Sequence, residues 1–79
     1  MNQSILNIIH QEYTGKQRMM VIHELSSIEL HHTMDAEDNL GNTRLSILKL
    51  AKGNINKIID LTATAKIDFR DVILWASQE

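Results

Sequence analysis

Apolar side chains recur along this chain at spacings of three and four residues, not in alternation, so the pattern is that of helices. In residues 2–13, Ile5, Leu6, Ile8 and Ile9 suit one helix face, Asn2 or Ser4 is available as cap, and Thr14-Gly15 marks the end. Residues 16–32 read as the longest clear helix. A regular helix there puts Val21, Ile22, Leu25 and Ile28 on one face, with Met19 and Leu30 on a narrower stripe elsewhere. The acidic, polar stretch 33–42 ends in turn residues and reads as the connection between halves, with part of it able to extend a helix. Residues 43–52 then offer Leu45, Ile47, Leu48, Leu50 and Ala51, with Lys49 and Lys52 at the end that favours cations. Gly53 can stop that helix and Asn54 can cap the next, which runs to about residue 65 and buries Ile55, Ile58, Ile59 and Leu61. The same apolar phase would also carry straight through Gly53; the stop-and-cap pair favours a break.

The last twelve residues write out one more helix start. Asp68 can cap the free amides of a first turn, Ile67 and Val72 stand where a hydrophobic staple would clamp it, and Asp71 suits the positive end. From Val72 to Ala76 five consecutive residues are apolar and point right round the cylinder, at about 100° per residue. Such a segment asks for cover on more than one side. Phe69, Val72, Ile73 and Trp75, with Met19 and Leu30, are therefore expected as core or interface anchors, Trp75 above all. The expectation is one all-α domain over residues 1–79, a small bundle of four or five short helices, self-associating as a twofold homodimer.

Composition narrows this further. A chain of 79 residues with no cysteine has neither disulfides nor thiolate metal sites to staple it, and its core margin is thin. No proline interrupts the helices, and three aromatic residues leave the core to Ile, Leu, Met and Val. There is no long apolar run or signal-peptide pattern, so a cytoplasmic protein with no membrane partner is expected. The net charge of −2 is uneven: residues 1–40 hold two basic and six acidic side chains, and 41–79 hold six and four. Opposite halves can attract within or between chains, but the balance is far from that of a polyanion binder.

Candidate chemistry is sparse. Glu29-Leu-His-His32 has the Glu-x-x-His spacing of carboxylate-bridged metal bundles, and on the helical phase both residues lie beside the apolar face, with His31 turned to solvent. A complete site needs a second such element and two more glutamates. The structural alternative pairs Glu29 and His32 with each other, with Arg18 or with Arg44. His23-Glu24 begins a zinc-protease motif whose second histidine is replaced by Ser27, and a calcium-loop reading of Asp35, Glu37 and Asn39 fails at Leu40 and Ser46. No serine sits in a nucleophile elbow and no glycine-rich phosphate loop exists. Residues 47–61 fit a helix-turn-helix with Lys49, Lys52 and Lys57 nearest a phosphate backbone, yet only Asn56 and Lys57 stand near the second helix start.

The segments Leu48-Lys-Leu-Ala-Lys-Gly-Asn-Ile and Ala65-Lys-Ile-Asp-Phe-Arg-Asp-Val-Ile-Leu-Trp-Ala76 resemble the C-terminal ends of small bacterial helical proteins of unassigned function. The resemblance covers the region from about Leu48 to Ala76, and implies a helical, bacterial, intracellular protein and no activity. The expected role is a non-enzymatic interaction or regulatory module without cofactor, with a second copy or an unidentified protein as partner. A weak nucleic-acid binder using 47–61 and a metal-binding bundle using Glu29 and His32 are the rivals.

Overall fold

A computed structural model describes residues 1–79. Four α-helices and one 3₁₀ turn follow in order: α1 (Gln3–Glu12), α2 (Lys16–Ser26), the 3₁₀ turn (Leu30–Thr33), α3 (Glu37–Ala51) and α4 (Ile55–Ser77). The all-α small bundle expected from the apolar periodicity is what forms.

The centre of the bundle is the hairpin of α3 and α4. Buried positions on α3 are Leu40, Thr43, Ile47, Leu48 and Ala51. Those on α4 are Ile58, Thr62, Ala65, Phe69, Val72 and Ala76, a four-three-four-three-four spacing that keeps one helix face inward. Lys52 and Gly53 take left-handed conformations between them (φ 49° and 84°), and Asn54 Oδ1 accepts from the Asn56 and Lys57 amides at 2.9 and 3.2 Å. The chain thus breaks at Gly53, and Asn54 is the cap.

Helix α1 lays Ile5, Ile9 and the following Tyr13 on the core, one per turn. Asn2 caps it, Oδ1 accepting from the Ile5 amide at 2.9 Å. Its last carbonyls are taken by Arg18 of α2, whose guanidinium donates to the oxygens of His10 and Tyr13 at 2.9 and 2.6 Å. Helix α2 contributes Val21 and Leu25 and ends in the same way: Arg44 of α3 donates to the oxygens of Leu25 and Ile28, both at 3.0 Å. Burial holds the Arg44 guanidinium below its ordinary pKa, partly opposed by the Glu37 carboxylate. The two arginines expected as partners for Glu29 and His32 are therefore helix C-terminal clamps.

Four sequence expectations are corrected here. The helix of 16–32 stops at Ser26, because Ser27 Oγ donates back to the Glu24 oxygen at 2.6 Å and competes with the next helical turn. The connection is shorter than 33–42: α3 starts at Glu37, with Glu37 and Asp38 in its positive first turn, and Gly41 and Asn42 lie inside the helix. Helix α4 runs on past residue 65, and Asp68 marks a break inside it (φ −152°, ψ 98°). Finally, none of the four methionines enters the core; Tyr13, Phe69 and three alanines fill it beside the aliphatics.

Candidate interaction surface

The break at Asp68 sets the geometry of the outer face. Asp68 caps the 69–77 segment as its sequence predicts, Oδ1 accepting from the Arg70 amide at 3.1 Å, and its carboxylate also takes the Arg70 guanidinium at 3.0 and 3.1 Å. The Arg70 hydrogen bonds hold the Asp68 carboxyl below the usual range and raise the arginine in turn. The staple expected between Ile67 and Val72 is not made: Val72 is fully buried while Ile67 is 88 % exposed, the most exposed large apolar side chain of the chain. The two residues lie on opposite sides of the non-helical Asp68, so each follows its own segment.

Upstream, Ile59 and Ala63 share the exposed side of α4 with Ile67 at four-residue spacing. Ile59 forms one wall of an open groove of about 430 Å³ against α2, completed by Met19, Met20, His23 and Glu24. At the other end, Ile67 lines a smaller hollow with His31, His32, Met34, Asp68, Phe69 and Arg70. An apolar strip therefore runs along α4 from the methionine groove to Ile67 and Met34. Asp60 and Lys66 flank it, both exposed and neither in an ion pair within the chain.

Of the expected anchors, Phe69 and Val72 are in the core and Ile73 is half-buried against it. Met19, Leu30 and Trp75 are exposed, Trp75 by 43 %, so the expectation of a sequestered indole is corrected for the single chain. The 69–77 segment turns Phe69, Val72 and Ala76 inward, and Leu74 and Trp75 fall on its far side. Ile59, expected among the buried residues of its helix, is exposed instead, and Ile67, expected in a staple, stands outside as well. The signal was present in the phase: both stand off the 58–62–65–69 line that faces the core.

Glu29 and His32 are not neighbours on an α-helix. Glu29 precedes the 3₁₀ turn in extended conformation, its amide donating to His32 Nδ1 at 3.0 Å, while its carboxylate meets His31 Nδ1 at 3.2 Å. The two imidazoles lie against each other, ring centres 4.0 Å apart. No group of three or more His, Asp or Glu side chains converges anywhere as a metal-ion cage. Helices α3 and α4 do form a helix-turn-helix, but between Lys57 and Lys66 the exposed side of α4 offers Ile59, Asp60 and Ala63, an apolar and acidic row in place of a basic one. No helix is long and apolar enough to cross a membrane. Comparison with protein families, with curated proteins and with solved structures finds no match for this chain.

Proposed function

We propose that the chain is a non-enzymatic interaction module that self-associates, and that its business surface is apolar. The observation that carries this reading is the number of large apolar side chains left outside a complete core. Fourteen buried residues form one cluster, and around it ten large apolar side chains stand exposed, seven of them Met19, Met20, Met34, Ile59, Ile67, Leu74 and Trp75. Isolated exposed apolar residues are ordinary; a groove walled by two methionines and an isoleucine is the kind of patch that marks a contact site. Methionine adapts its shape to a partner at low cost, which suits such a surface.

The test is solution mass. Sedimentation equilibrium of the full chain, from micromolar to near-millimolar, is expected to move from one chain towards two. A mass of one chain of 9.0 kDa over the whole range overturns the self-association reading.

A further inference from the structure

We propose that the groove between α2 and α4 binds one soft monovalent metal ion, copper(I) or silver(I), held by the thioethers of Met19 and Met20 and the imidazole of His23. The three side chains line the same open groove, together with Glu24 and with Ile59 of α4. Their convergence follows from their places on α2. At about 100° per residue, His23 stands about 40° round the helix from Met19 and about 60° from Met20, so its direction falls between theirs. It lies one turn further on, about 4.5–6 Å along the axis, and helical side chains lean back over the turn that precedes them. The imidazole is thereby carried towards the two sulfurs.

The donor set selects the ion. A thioether is soft and uncharged, so it competes poorly for hydrated hard cations and well for soft ones, and imidazole suits copper as well. His23 and Glu24 without the sulfurs leave a zinc ion short of the ligands it takes, in keeping with the absence of any cage of His, Asp and Glu side chains. Nothing else in the fold claims these groups. The His23 ring and the Glu24 carboxylate make no hydrogen bond or ion pair within the chain, and both methionines are exposed. The other histidines are placed differently: His31 and His32 have their Nδ1 atoms engaged at Glu29, and His10 lines a hollow that holds no methionine. Glu24 supplies a negative charge beside the bound cation, and the Ile59 side chain keeps water from part of its shell. One chain holds the full donor set, so this site goes beyond the self-association reading and does not rest on it.

The full chain carries four methionines and no cysteine, so methyl-labelled methionine reports on every sulfur in it. Titration of the full chain with silver nitrate in chloride-free buffer is expected to move the Met19 and Met20 methyl signals and the His23 ring signals together, saturating at one equivalent, while Met1 and Met34 stay still. Met19→Leu, Met20→Leu and His23→Gln are each expected to weaken silver binding by at least the about ten-fold that loss of even an outer-shell partner costs a metal site. Leucine keeps the apolar bulk of methionine, so unchanged helicity and melting temperature of the metal-free variants separate lost ligation from lost folding. Zinc(II) in place of silver is expected to leave the methyl signals unmoved. Parallel shifts of all four methyls without saturation, a first equivalent taken by Met34 beside His31 and His32, zinc shifts equal to those of silver, or leucine variants that bind as tightly as the wild type would each overturn the site. Sedimentation of the metal-free chain decides self-association separately.

Discussion

Single side chains in this bundle carry loads that their residue type alone would not suggest. Arg44 donates to two carbonyls at the end of α2 from a different helix; on its removal the Ile28 oxygen would be left without a donor and the Leu25 oxygen with only the Ile28 amide at 3.3 Å. Arg44→Ala is expected to cost about 2–4 kcal/mol in chemical denaturation, from two charge-assisted hydrogen bonds. Arg44→Lys should recover less than half of it, since a point ammonium cannot span both oxygens. Tyr13 is the opposite case. Its ring is buried, while its hydroxyl lies against the Gly53 backbone without an aligned hydrogen bond. Burial first, and then the Glu12 carboxylate, raise its pKa above 10.0. The unfolded chain therefore ionises first, and the stability tied to this phenol is intact below the unfolded value and drains away as pH climbs past it. Tyr13→Phe should be close to neutral at pH 7, within about 1 kcal/mol, and should flatten the alkaline fall in melting temperature. An equal alkaline fall in both proteins would refute the assignment.

At the scale of elements, the turns and caps were legible and the outward-facing residues were not. Gly53 followed by Asn54, and Asp68 before an apolar run, specify a stop and two starts by local chemistry that no tertiary contact has to supply. The extent of α3 was hidden because Gly41 and Asn42 read as turn residues, while burial of Leu40 and Thr43 against the hairpin overrides their weak propensity. The expectation that Glu29 and His32 share a helix face was misplaced for a local reason: one serine hydroxyl ends α2 early, and the helical phase that placed them together ceases to apply. The apolar run of 72–76 predicted cover on two sides, and the single chain supplies one. Two substitutions test the local picture. Gly53→Ala is expected to cost about 1 kcal/mol from its positive φ alone, since the added Cβ meets the Glu12 oxygen at an ordinary 3.6 Å. Asp68→Ala should lower the melting temperature at neutral pH. Because the Asp68 pKa is depressed in the fold, that difference should shrink as acid protonates the carboxylate, reaching zero below its folded value; a difference that persists there would show that the break does not depend on this charge.

For the molecule as a whole, the accessible surface is the deciding quantity. A folded monomer of 9.0 kDa is expected to expose about 4,850 Å², and this chain exposes 4870 Å². The core is thus as complete as an independent domain's. Ile58→Ala, at the centre, should cost about 2–5 kcal/mol, whereas Trp75→Ala, with a half-open ring, should cost about 1–2 kcal/mol; equal losses would place the indole inside. The arginine clamps carry one more consequence, for the order in which the protein opens. Each secures the end of the preceding helix from the following element: α1 is held by α2, and α2 by α3. Dependence of this kind runs one way, so the N-terminal helices can detach in sequence while the α3–α4 hairpin stays shut. Native-state hydrogen exchange should then release α1 amides first, α2 next and the hairpin only with global unfolding, the molecule unzipping from its N-terminus as a graded series of partly open forms.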